Sequence, residues 1–161
     1  QLRTITATTI LLLVLFLSMG NKNGRAASQG RGNTGAPGDE TSLGSPKTCI
    51  NCHNQGPITA SVAITVLDAA NQPVIQYHPG QQYTATVKIT ASGANLQGYG
   101  FQMIALRDAG NTDLDGFSDT NPNNYKIATI ANGRTYAEHD NISSTNTFSV
   151  KWTAPAAGTG M

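Results

Sequence analysis

From Ile58 onward, several runs of the chain place apolar residues at every second position. This two-residue rhythm limits the fold more than any other feature. Side chains of an extended strand point alternately to its two faces, whereas a helix repeats a face every three or four residues. Val62, Ile64 and Val66 share one face, and after Pro79-Gly80 the residues Tyr83, Ala85, Val87 and Ile89 alternate with Thr84, Thr86 and Lys88. A third run spans Tyr99 to Arg107, with Phe101, Met103 and Ala105 on one side and Gln102, Ile104 and Leu106 on the other. Further runs cover Tyr125 to Ile130, Arg134 to His139 and Thr147 to Thr153, where Phe148, Val150 and Trp152 point the same way. Gly, Pro, Asn and Asp separate them. The pattern predicts half-buried strands in an all-β, antiparallel β-sandwich. It holds no amphipathic helix of useful length, so the small helical cytochrome c fold is excluded.

One motif stands apart from this rhythm. The only two cysteines of the chain fall in Cys49-Ile50-Asn51-Cys52-His53, the C-x-x-C-H spacing of c-type haem attachment. Each thiol can add across one vinyl group of the same haem, and the following imidazole ligates the iron. The expectation is one covalent haem c per chain, bound through Cys49 and Cys52, with His53 as proximal axial ligand. Three other chemistries compete. A thiol redox pair expects a strand before it and a helix after it, which Gly44 to Pro46 and Gly56-Pro57 do not supply. A disulfide across so small a loop would be strained. A zinc site needs a fourth ligand beyond these three, from His78, His139 or a carboxylate.

The start of the chain bears on the same question, because haem is attached outside the cytoplasm. Arg3 precedes the apolar run Ile10 to Leu17, which is followed by small and polar residues through Gly24-Arg25-Ala26-Ala27. This is the layout of a secretory signal peptide, residues 1–26, cut after Ala26. Counted from Ile5 to Met19, the apolar stretch is still shorter than the roughly 20 residues of a spanning helix. The expected location is the periplasm, cell surface or extracellular space, with no membrane span once the leader is removed. No Cys follows the apolar run, which argues against a lipoprotein. Residues 27–47 are rich in Gly, Ser, Thr and Pro without apolar periodicity, and read as a linker or arm that wraps the haem. Residues 48–161 form the haem-bearing domain, and its end at Gly158-Thr159-Gly160-Met161, straight after a strand, suggests C-terminal truncation. Formal net charge is +1, without a basic stripe or acidic tail. Nucleic acid is therefore not an expected partner.

Several short strings follow one another along the chain: Thr34-Gly35-Ala36-Pro37-Gly38-Asp39, Thr48 to His53, Tyr77-His78-Pro79-Gly80-Gln81-Gln82-Tyr83, Gly100-Phe101-Gln102, Tyr136-Ala137-Glu138-His139 and Trp152 to Gly160. Together they make the segment from Asn33 to Met161 resemble the choice-of-anchor V domain. That family is Reeler-related and occurs in exported bacterial proteins, many from Bacteroidota, often with a C-terminal sorting signal. The resemblance implies an immunoglobulin-like sandwich with a haem-type motif at its start, and a final strand after Gly160.

If haem is bound, the second axial position decides the chemistry. His139 is the first candidate, its other ring nitrogen held by Glu138, Asp140 or a backbone carbonyl. Met103 is a weaker one, since a methionine on that strand face also suits the core. His78, beside the Pro79-Gly80 turn, is equally weak. Two protein ligands make an electron carrier, whose partner is a redox protein, a neighbouring haem protein or a second copy. An open position would suit a sensor or peroxidase. The competing reading is a cell-surface adhesion or matrix module with a structural haem or none. Asn111-Thr112-Asp113-Leu114-Asp115-Gly116 resembles half of a calcium loop, but the twelfth position is Pro122 and no helices flank it, so it reads as a polar turn. Asn141-Ile142-Ser143 matches a glycosylation sequon. No nucleophile-and-base pair, phosphate loop or paired catalytic carboxylates stand out.

Overall fold

The computed structural model describes residues 23–40, 43–51, 53, 56–121 and 124–159. The apolar run Ile10 to Leu17 and Cys52 lie outside the described residues. Among the described residues, seven strands pair antiparallel: β1 (Thr59–Leu67), β2 (Gln82–Ser92), β3 (Gln102–Met103), β4 (Phe117–Ser118), β5 (Tyr125–Thr129), β6 (Thr135–His139) and β7 (Thr147–Thr153). They form a four-stranded sheet in the order β1-β2-β7-β4 and a three-stranded sheet in the order β3-β6-β5. The molecule is thus an all-β sandwich, as the alternation requires. Among the described residues, one short α-helix, α1 (Arg25–Gln29), precedes the strands. Among the described residues no helix is long and apolar enough to cross a membrane.

The alternating residues meet between the sheets. Ala85, Val87 and Ile89 of β2 and Phe148 and Val150 of β7 face Phe101, Met103, Tyr125 and Ala137, all buried. Phe101 and Phe148 pack with ring centroids 4.6 Å apart, within the range that adds stability beyond area burial alone. Tyr83 and Trp152 close one end, with centroids 6.2 Å apart.

Two strand expectations are corrected. Val62 and Ile64 of β1 pair with Ile89 and Val87, so they share the core-facing side of the sheet. They are nonetheless 63% and 58% exposed. The opposing sheet has only three strands and leaves β1 uncovered, so the right period yields burial only where a second layer lies opposite. The run from Tyr99 to Arg107 is a regular strand only at Gln102–Met103. Tyr99 bridges to Ser143 and Leu106 to Asp113, so the segment changes partner twice and cannot keep one ladder.

The arm preceding β1 is ordered without forming a strand. It crosses the outer face of the three-stranded sheet and follows β6 backwards: Ala26 and Ala27 meet Glu138, and Asp39 meets Tyr136 and Arg134. As a result β6 is buried on both faces, with Tyr136, Ala137 and Glu138 each 0% exposed.

Candidate functional site

The cysteine motif sits on this arm. Cys49–Asn51 form one turn of 3-10 helix, capped when Thr48 N–H donates to Asn51 Oδ1 at 2.6 Å. His53 N–H donates to the Cys49 carbonyl at 3.0 Å, which folds the motif back so that residues 49 and 53 lie one turn apart. Both are exposed, as is Ile50 between them. Cys49 Sγ lies 3.8 Å from the Asn33 carbonyl. Asn33 anchors the turn, because its side-chain amide donates to the Thr48 carbonyl at 3.1 Å and its N–H donates to Gln102 Oε1 at 2.6 Å.

Two buried carboxylates hold the arm down. Asp39, 4% exposed, accepts from Arg134 Nη1 at 2.8 Å and from the Tyr136 hydroxyl at 2.6 Å on one oxygen. Its other oxygen accepts from the Thr34 N–H and hydroxyl at 3.0 and 2.6 Å. Arg134 also donates to the Pro37 carbonyl. Burial, with the adjacent Asp39 carboxylate adding to it, raises the Tyr136 phenol well above its ordinary value. The phenol stays a hydrogen-bond donor. Gly32 permits the approach: a Cβ there would lie 2.2 Å from both Asp39 Oδ1 and the Tyr136 hydroxyl. Glu138 forms the second anchor, accepting from Ala26 N–H and Ala27 N–H, each at 2.8 Å, and from Gln102 Nε2 at 3.0 Å.

The candidate second ligands lie in three different settings. His139 Nδ1 lies 2.9 Å from the Phe101 carbonyl, and its Nε2 lies 3.4 Å from Gly24 N. Because the Gly24 N–H requires an acceptor, Nε2 carries the lone pair and Nδ1 carries the proton, which it gives to Phe101. That assignment leaves the 3.1 Å approach of Phe101 N–H to Nδ1 as a close contact and not a bond. A backbone carbonyl does orient this imidazole, and Gly24 covers its lone pair. Met103 is 8% exposed within the core. His78 is exposed beside its turn and meets the four-stranded sheet, where its N–H donates to the Tyr83 hydroxyl at 2.7 Å. Among the described residues no three His, Cys, Asp or Glu side chains gather to hold a metal ion. In the Asn111–Gly116 segment, Asp113 accepts from its neighbour Asp115 N–H at 2.9 Å and from Thr135 N–H. It is the polar turn that the missing twelfth ligand implied.

No family model matches the chain, and no curated protein matches it. Solved structures do resemble it. Two crystal structures of the human F-spondin reeler domain are similar. One is 21% identical, covers 62% of this chain and 70% of its own, and has a TM-score of 0.43. The other is 24% identical, covers 60% and 66%, and has a TM-score of 0.42.

Asp39, Arg134, Tyr136 and Glu138 have no functional signal in the residues taken singly. Asp39, Tyr136 and Glu138 do lie inside the strings that carry the resemblance. What pairs them is a contact across 95 or more residues, such as Arg134 with Asp39.

Proposed function

We propose that this chain is an exported, non-enzymatic β-sandwich module that works at the cell surface or in a matrix through contacts of its exterior. The supporting observation is how its buried polar groups are used. Asn33, Asp39, Thr135 and Glu138 are the buried polar residues among those described, and their hydrogen bonds fasten the arm, or a neighbouring turn, to the sheet. Catalytic carboxylates stand in a cleft with room for a substrate. Here the donors around each carboxylate belong to the fold. The leader-like start, with Arg3 before Ile10 to Leu17, supports export. Fractionation of producing cells, combined with protease treatment of intact cells, tests this. The leaderless chain is expected outside the cytoplasm, and an uncleaved chain retained inside would overturn the reading.

A second reading is favoured by the exposed turn that carries Cys49 and His53. A macrocycle can approach both from solvent, and a bound haem c would supply one-electron redox chemistry toward a redox partner or a neighbouring haem protein. Cys49 and Cys52 would hold the group, and His53 would be the proximal ligand. Protein made alongside a cytochrome c maturation system should keep its haem through acid-acetone extraction. A colourless protein would end this reading and leave the first intact. If haem is retained, His139→Ala changes the low-spin spectrum only if His139 is the second ligand.

A further inference from the structure

The two buried carboxylates under the arm differ in charge balance. Asp39 has Arg134 Nη1 2.8 Å away. Glu138, 0% exposed, is met by the neutral donors Ala26 N–H, Ala27 N–H and Gln102 Nε2. The ion pairs among the described residues are Arg134 with Asp39 and Lys126 with Asp140, so no described side-chain cation pairs with Glu138. Burying a carboxylate without a cation is costly even when its oxygens are hydrogen-bonded.

The two N–H groups that reach Glu138 are consecutive along the chain, and the second is the amide of the Ala26-Ala27 peptide bond. Small residues, Gly24 and Ala26, occupy the third and first positions before that bond, behind a positive end and an apolar run. We infer that the leader is cut between Ala26 and Ala27 and that the new α-ammonium of Ala27 docks on Glu138 as its cation. This inference rests on the export reading. The chemistry is hydrolysis by the export machinery's leader endopeptidase. Water's oxygen goes to the Ala26 carbonyl carbon, which leaves as a carboxylate, and the Ala27 nitrogen departs as an amine that is protonated at neutral pH.

The geometry is already in place. Ala27 N lies 2.8 Å from Glu138 Oε1, so docking needs no movement of the sheet. Cutting removes the Ala26 bond to Oε2, and the ammonium has two further protons for the same carboxylate. It also removes Gly24 from His139 Nε2 and bares that lone pair. Ala26 is 4% exposed in the folded chain, which requires the cut to come before folding. Export of an unfolded chain supplies that order.

N-terminal sequencing of the protein exported under its own leader tests the position, and a start at Ala27 is expected. An uncut chain would overturn this inference together with export, whereas a cut at another bond would overturn this inference and leave export standing. The ion pair has its own test. Protein beginning at Ala27 is compared with the same chain acetylated at that nitrogen, by urea denaturation. Acetylation should lower the folding equilibrium constant on the order of tenfold or more, and Glu138→Gln should abolish most of that difference. Equal midpoints for free and blocked wild-type chains would overturn the ion pair even if Glu138→Gln failed to fold.

Discussion

The three-stranded sheet is covered on both faces along β6, by two different kinds of contact. Its inner face meets the four-stranded sheet through Phe101, Met103, Tyr125 and Ala137 against Phe148 and Val150. Its outer face meets the arm through Tyr136 and Glu138, with Arg134 at the strand's start. The inner contact is apolar and non-directional, so its stability follows the area removed from water. The outer one is polar and directional, so it depends on each partner being present. One strand, β6, serves both, because its alternation sends Ala137 inward and Tyr136 and Glu138 outward.

The largest effect should come from the inner face. Phe148→Ala is expected to cost about 3–5 kcal/mol in urea denaturation, whereas Phe148→Leu, which keeps much of the volume, should cost far less. The outer face should show the opposite tolerance. Asp39→Ala is expected to cost about 3 kcal/mol by stranding Arg134 and Tyr136, and the near-isosteric Asp39→Asn should recover little of it. Hydrogen exchange should then rise over residues 33–48 while β2 and β7 stay protected. If Asn is tolerated as well as Leu is in the core, the contrast between the two faces fails.

Alkali should act on the outer face alone. The folded Tyr136 phenol is raised above its unfolded value of 10.0, so its contribution is fully present below that pH and is lost as pH rises through the folded value. Denaturation midpoints measured from pH 9 to 11.5 should fall more steeply for wild type than for Tyr136→Phe. The smallest effect belongs to Lys126 and Asp140. Their ion pair is 3.1 Å long, with side chains 22% and 31% exposed, so Lys126→Ala should cost no more than about 0.5 kcal/mol.

Legibility in the sequence follows the same division. The core positions of β2 and β7 could be read residue by residue, because a period of two translates directly into a buried face. β1 has the same period, but what lies opposite Val62 and Ile64 is a property of the other sheet and is not encoded in their own spacing. The arm was readable as a segment without strands, but not as a covering layer. Its attachment depends on single polar groups such as Asp39 and Arg134, which leave no periodic trace. Glycines such as Gly32 look like linker composition until the Tyr136 hydroxyl is found pressed against them. The Cys49 to His53 motif was conspicuous from the start, and the structure adds that its turn is exposed and tied to β3 through Asn33. At His139, three partners for the imidazole are open in the sequence, and only the fold places the Phe101 carbonyl on one ring nitrogen and the arm's Gly24 over the other.

The order of contacts along the arm has a mechanical consequence. A pull on its N-terminal end would load Glu138 first, then Asn33 at Gln102, then Asp39 at Arg134 and Tyr136, since the arm's residues make these contacts in that order along the chain. Short-range bonds loaded one at a time peel in succession at modest force, while the sandwich behind them bears no tension until the last has parted. The arm would therefore act as a release stage in series with the domain, and its extension under load would carry the Cys49 turn away from the sheet before any strand separates.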